Sequence, residues 1–280
     1  MLPLSGQAVP VPELWGSGFA LAYGGSVGPS FDQHLSPASA GNTVPFDLAY
    51  PSLGYPSLDG SYADSNGLSS FGLLSGYADA HRTYNTNLGP SLPIVGDAQA
   101  KATTQMFDYF VPTTSAGTAP LDYTLTLTVD GTHTPNPNDI GGGRASGTFV
   151  YYKITDFSTN SVITYGSWSS TDAVPTATLT PLFQVLPAQV HDYIGIEVDL
   201  EVSAYAMSNN LRPEYLTSVA NYSMGVHLDA VTAGASTDGL SGHEYASPPA
   251  VPEPPSWALI AGGLAFITMF RRGAARRCRR

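Results

Sequence analysis

The sequence predicts an all-β protein: a jelly-roll-like β-sandwich, then a proline-rich linker and one short C-terminal transmembrane helix. Three observations predict it. Apolar and polar residues alternate with period two in several long stretches, which buries one face of each strand and wets the other. No stretch between residues 90 and 250 sustains the 3.6-residue period of a helix. The last thirty residues change character, with a Pro-Glu-Pro turn, 14 uncharged residues from Trp257 to Phe270 and six arginines.

The clearest strand is 121–129, LDYTLTLTV, with apolar residues on odd positions and polar ones on even. From Ile194 to Ala204 the apolar set is Ile194, Ile196, Val198, Leu200, Val202 and Ala204, and the opposite face carries Glu197, Asp199, Glu201 and Ser203. Ala220, Tyr222, Met224, Val226 and Leu228 form a third stripe. Asp97 to Val111 reads as a strand whose apolar phase switches near Met106 and Phe107, which predicts a bulge there. Residues 147–155 and 161–168 read as a hairpin about Phe157–Asn160, whose Ser, Thr and Asn suit a turn. Phe71 to His81 predicts a further strand. Residues 1–65 are rich in Gly, Pro, Ser and Tyr and repeat Tyr-Pro-Ser-Leu at Tyr50–Leu53 and Tyr55–Leu58. They read as long surface loops with short strands.

These readings divide the chain. Residues 1–8 are expected to be the remnant of a signal-peptide cleavage region, since Gly6 and Ala8 have small-x-small spacing. Residues 9–247 form the sandwich body. Residues 248–256 are the proline-rich linker, 257–270 the transmembrane helix and 271–280 a basic cytoplasmic tail.

Charge separates the body from its end. Residues 1–250 hold five basic and 21 acidic residues, a net charge of −16. Such a surface repels phosphate backbones and excludes nucleic acid as a partner. The tail inverts the sign with Arg271, Arg272, Arg276, Arg277, Arg279 and Arg280. Basic residues beside an apolar helix mark its cytoplasmic end. Trp257 suits one interface, the arginines can snorkel at the other, and Leu259, Ile260, Leu264, Phe266, Ile267 and Phe270 supply the apolar surface. Fourteen residues make a helix of about 21 Å, short against a hydrocarbon core of about 30 Å but tolerated in thinner membranes. The single cysteine, Cys278, lies among the arginines, so the body has no disulfide framework.

Val251-Pro252-Glu253-Pro254, the short hydrophobic helix and the terminal arginine cluster together resemble a PEP-CTERM sorting signal. The resemblance covers about thirty residues, and its specificity lies in the order of the three parts. It implies export by a Gram-negative bacterium that makes extracellular polysaccharide. It implies an exosortase as processing partner, recognising Val251–Pro254, and a destination at the cell surface or in the extracellular matrix after transient anchoring in the inner membrane. More loosely, Ala220–Ser223 followed by Leu240–Tyr245 is similar to the last strand and exit loop of such exported proteins.

The search for chemistry finds no catalytic motif. Gly141–Gly143 lies among turn residues before a strand, where a phosphate-binding helix start is not expected. His34, His81, His133, His191, His227 and His243 show no zinc-site spacing. Glu197, Asp199 and Glu201 share a strand face, read first as a solvated face and second as the acid and base of a glycosidase. The loop Asp130–Asp139, with Gly131, Asn136 and Asn138, is the oxygen-rich segment most suited to calcium, although any long hairpin loop has this composition. No other cofactor is expected. Tyr151, Tyr152 and Tyr165 to Trp168 put rings on both faces of adjacent strands. The expected function is a non-enzymatic structural or adhesive one. The alternatives are a carbohydrate-binding module, for which Trp168→Ala is the expected discriminating change, and a secreted glycan hydrolase or lyase using Glu197 or Glu201.

Overall fold

The computed structural model describes residues 9–24, 31–35, 44–51, 62–82, 96–113, 119–134, 142–208 and 216–246. Thirteen strands form among them: β1 (Glu13–Gly24), β2 (Phe31–Leu35), β3 (Val44–Pro51), β4 (Tyr62–Ser70), β5 (Leu73–Arg82), β6 (Gly96–Phe110), β7 (Leu121–His133), β8 (Gly142–Asp156), β9 (Ser161–Ser169), β10 (Ala177–Leu179), β11 (Leu182–Val185), β12 (Ile194–Ser208) and β13 (Leu216–Ala230). A single 3-10 turn, Pro187–Gln189, is the helical element among these residues. None is long and apolar enough to cross a membrane. The 1–8 segment, the linker and motif Val251–Pro254, the Trp257–Phe270 helix and the terminal arginines lie outside the described residues.

The strands pair antiparallel in two sheets. Sheet A has the order β2-β1-β6-β12-β8-β9 and sheet B the order β10-β7-β13-β5-β4-β3, with β11 also on β7. The three stripes legible in the sequence lie on strands flanked on both sides: β12 between β6 and β8, β13 between β5 and β7, and β7 between β13 and the short β10 and β11. Their apolar faces are the core. Ile194, Val198, Leu200, Val202, Tyr123, Leu125, Leu127, Met224, Val226 and Leu228 are fully buried. At about 1.5–3 kcal/mol for each large apolar side chain removed from water, these inner faces hold the sheets together.

The core is graded along the strands. One end holds Phe110, Ile194, Ile196 and Tyr123, and the other Ala98, Ala100, Ala102, Ala204 and Ala206. At the small end the sheets approach closely. A Cβ on Gly76 of β5 would stand 2.8 Å from Cγ2 of Val202 and 3.4 Å from Cβ of Ala102 on the facing sheet. Glycine is required there by the closeness of sheet A.

The hairpin of β8 and β9 turns at Phe157–Asn160, with Asn160 at φ 53° and the Asp156 carboxylate accepting from the amides of Ser158 and Thr159. The region from Phe71 onward is also a hairpin partner, β5 returning from β4 through Phe71–Gly72.

Three expectations are corrected. Strand β6 has no bulge near Met106 and Phe107; its register with β1 and β12 is continuous over that stretch. The apolar phase of the sequence switches there because the inner face carries the polar Thr104 and Asp108, both fully buried, while the outer face carries Phe107 and Tyr109. The irregularity lies between β8 and β9, at Ile154 and Thr155. Within residues 1–65, β1 is a 12-residue strand held between β2 and β6. It escaped notice because its inward positions include Gly16 and Gly18 while Trp15 and Phe19 point outward. Lastly, β7 continues to His133, so Asp130 and Gly131 are paired strand residues opposite Ser223 and Tyr222. Asn136, Asn138 and Asp139 lie outside the described residues.

Candidate functional site

Strand alternation sends every second residue of β1, β6, β12 and β8 to the outer face of sheet A. Register then aligns them across the sheet. One row reads Trp15, Gln105, Asp199, Tyr151, and the next reads Glu13, Phe107, Glu197, Lys153. A third holds Ser17, Thr103, Glu201 and Phe149. Beyond the second row lies Tyr109, beside Gly195. The result is a sheet face with aromatic rings interleaved with carboxylates, amide and ammonium groups.

The three predicted carboxylates do share this face, but they are not simply solvated. Lys153 Nζ lies 3.3 Å from Glu197 Oε2, and Lys101 Nζ lies 2.7 Å from Glu201 Oε2. Both lysines sit on strands adjacent to β12. Asp199 is left between two acidic neighbours on its own strand. Its carboxyl is pushed up to about 7, first by burial and then by the charge of Glu197, although Gln105 hydrogen-bonds it and Lys153 acts in the opposite sense. Oδ1 of Asp199 is buried with no hydrogen-bond partner among the described residues. Near neutrality this carboxyl is therefore partly protonated and can donate as well as accept a hydrogen bond.

Beside this group is a shallow pocket of about 140 Å³, walled by Phe107, Tyr109, Lys153, Phe157 and Glu197 with Gly195 beneath. Tyr109 and Phe157 meet edge to face, their centroids 5.4 Å apart at 76°. A Cβ on Gly195 would come within 3.2 Å of the Tyr109 ring, so the glycine lets that ring lie over the strand. Burial, with the charges of Glu13, Asp108 and Glu197, raises the Tyr109 hydroxyl above its ordinary value.

The aromatic residues named from sequence divide as alternation requires. Tyr151 faces outward with Phe149, and Tyr165 is 70% exposed. Tyr152 and Trp168 pack against the core. Trp168 is therefore a half-buried ring turned toward the core, and the outward rings are the ones to test for ligand contact. Trp15, Phe107, Tyr109, Gln105, Lys101 and Lys153 were missed as a group. The available signal was aromatic residues in the polar phase of a strand, as at Trp15, Phe107 and Tyr109.

The histidines serve separate local contacts. His81 Nε2 lies 2.9 Å from Asp79 Oδ1, its ring stacks on Tyr62 at 4.1 Å, and Nδ1 is 3.3 Å from Thr217 Oγ1. Tyr77 and Tyr62 also donate to Asp79. Burial, then the charge of Asp79, pushes the Tyr77 hydroxyl up to about 12. His133 joins Tyr222 at Nδ1 and Asp172 at Nε2, the latter at 3.0 Å. His243 stands over Gly72, and burial lowers its pKa. No group of three metal-ligating side chains occurs among the described residues. The side chain of His34 lies outside those described.

No family model and no curated protein matches the chain. Among solved structures, a chain titled "Structure of infectious bursal disease virus Gx strain" is similar at 12% identity and a TM-score of 0.18, covering 81% of this chain and 59% of that one. The chain thus spans about three fifths of that structure's length.

Proposed function

We propose that this protein is an exported, non-enzymatic structural or adhesive component of the cell surface or extracellular matrix, and that it adheres through the outer face of sheet A to polysaccharide. The delivery half of the reading rests on the resemblance of Val251–Pro254, Trp257–Phe270 and the six terminal arginines to a PEP-CTERM signal. An exosortase-type enzyme would be the processing partner, and membrane anchoring would be transient. The crossing of the chain between sheets from β5 to β8, and again from β12 to β13, supports the jelly-roll-like reading of the body.

The observation that carries the adhesive half is the outer face itself, where Phe107, Tyr109 and Tyr151 alternate with Gln105, Asp199 and Glu197. Aromatic faces suit the C–H faces of sugar rings, and amide and carboxyl groups suit their hydroxyls. Among the described residues, Lys101 and Lys153 are the cations that offset the acidic side chains there, so neutral glycans fit better than anionic ones. The hydrolase or lyase reading has less support, because Glu197 and Glu201 are each engaged by a lysine.

Two measurements test the two halves. Intact-mass analysis of protein from the native host should find a mature species ending near Pro252–Pro255 without the arginines. A full-length species confined to the inner membrane would end the matrix reading. Affinity electrophoresis of the full chain through gels holding a neutral glucan or galactomannan should retard it more than a gel holding alginate. Equal mobility in all gels would sink the glycan reading and leave delivery untouched.

A further inference from the structure

After β13 the chain returns over the end of the sandwich as a short strap, Gly239–Tyr245, whose bonds converge on two strands. Gly239 bridges to Phe110 and the Leu240 amide donates to Tyr109 O, both on β6. The Ser241 amide and hydroxyl and the Tyr245 hydroxyl all donate to the Asp108 carboxylate, also on β6. On the edge of β13 that faces β5, the Val226 amide donates to Gly72 O and the Leu228 amide to Tyr245 O, so the strap continues the pairing where β5 ends. The strap thus ties sheet A to sheet B. Its own turn at Gly242, φ 81°, is closed by the Gly242 amide on Gly239 O and the Gly239 amide on His243 O.

His243 sits within this strap. Its imidazole fills the space that a side chain would take at Gly72, where φ is 84°. The ring also meets Tyr245 edge to face, with centroids 4.6 Å apart at 70°. Three elements face it. Strand β6 brings Asp108, β13 brings His227, and the strap itself brings Glu244 and Tyr245, with Asp238 bridged to Glu244 by backbone. The β4–β5 turn, Phe71–Gly72, brings no titratable group. Among the described residues the His243 ring makes no ion pair, and the Asp108 carboxylate is engaged by Ser241 and Tyr245. Burial lowers the His243 pKa from its ordinary 6.5; Asp108 and Glu244 act the other way without overcoming it, and His227 adds to the lowering.

We propose that the strap is a latch opened by acid: closed over the end of the sandwich at neutral pH, and released when His243 gains a proton. A charged imidazole packed on the Gly72 backbone and the Tyr245 ring loses hydration, and it faces a second histidine, His227, that charges in the same range. The sign follows from linkage. An opened strap exposes the ring to water and returns it to the ordinary value of 6.5, above that of the closed strap. The closed state is therefore favoured fully above 6.5 and loses stability as pH falls below it. The strap can open without the sandwich, because it is short and Gly242 and Glu244 are already exposed. Opening turns the seven residues Gly239–Tyr245 into tether and adds up to about 25 Å of reach to the chain that follows. The latch uses neither the glycan-facing rings nor the sorting motif, so it goes beyond both readings and survives the failure of either.

The test is hydrogen exchange by mass spectrometry on the full chain in mild detergent at pH 7.5 and pH 5, with rates corrected for the intrinsic effect of pH. Peptides from β7 and β12 serve as internal references. In wild type, protection of the Leu240, Gly242 and Leu228 amides should fall several-fold at pH 5 while the reference peptides keep theirs. His243→Gln cannot titrate, and His243→Phe also keeps a ring over Gly72; in these variants strap protection should no longer depend on pH. Equal strap protection in wild type at both pH values would overturn the latch. A fall that persists in both variants would do so too, assigning the acid sensitivity to another group. A fall shared by β7 and β12 would also overturn it, because the whole sandwich would then be opening.

Discussion

The Tyr245 hydroxyl donates a 2.8 Å hydrogen bond to Oδ2 of Asp108, 137 positions earlier in the chain. Both residues are fully buried. The same carboxylate accepts from the Ser241 hydroxyl, from the Ser241 amide at 3.1 Å and from the Tyr109 amide at 2.7 Å. Tyr245 also accepts at its carbonyl from the Leu228 amide at 3.0 Å. A buried acid on β6 thus holds the exit loop, the segment that leaves β13, against the end of the sandwich.

Removing the Tyr245 hydroxyl should therefore be felt globally. Tyr245→Phe keeps the ring and leaves Asp108 with one donor fewer, at an expected cost of about 1–3 kcal/mol. Chemical denaturation monitored by tryptophan fluorescence measures this. A change under about 0.5 kcal/mol would mean that the exit loop is not part of the cooperative unit.

Asp199 predicts a pH signature. Its folded-state value of about 7 lies above the 3.8 of an ordinary aspartate. The folded protein then keeps a proton that the unfolded chain releases, so this group lowers stability as pH rises from near 3.8 to about 7, with no further change above. Asp199→Asn removes that loss. Its thermal midpoint should match wild type near pH 4 and exceed it by a few degrees at pH 8, the equivalent of about 1–3 kcal/mol. Parallel curves across this range would contradict a raised carboxyl.

Outer and inner rings should separate in function. Phe107→Ala and Tyr151→Ala are expected to weaken retention by neutral polysaccharide tenfold or more while shifting the unfolding midpoint little. Trp168→Ala should destabilise by about 2–4 kcal/mol because its ring packs against the core. Affinity electrophoresis and thermal melts on the same preparations check both. Loss of retention in Trp168→Ala alone would reverse the assignment of faces.

The narrow end of the sandwich is sensitive to added volume. Gly76→Val brings new methyl groups into Val202, already within 2.8 Å of a single added Cβ. A loss of about 3 kcal/mol or more is expected, visible as a lower denaturation midpoint. Gly76→Val with Val202→Ala should recover part of it, and failure of that rescue would show that the sheets are not in contact there.

Sequence alone determined the all-β class and the identity of the strands that became the middles of the sheets. A strand with one face in the core and one toward water must alternate, and β7, β12 and β13 do so without interruption. The β8–β9 turn was legible for a similar local reason, since Ser, Thr and Asn supply its geometry and hydrogen bonds. Tertiary structure decided the rest. Asp108 reads as a break in the apolar phase of β6, and only the approach of Ser241 and Tyr245 makes an inward carboxylate stable there. Strand β1 reads as loop because small residues face the close-packed interior and rings face out. The candidate site depends on register: Trp15, Gln105, Asp199 and Tyr151 come from four strands, and a shift of one residue in any pairing would turn its side chain into the core. Local composition cannot encode that alignment, because the packing of distant strands sets it.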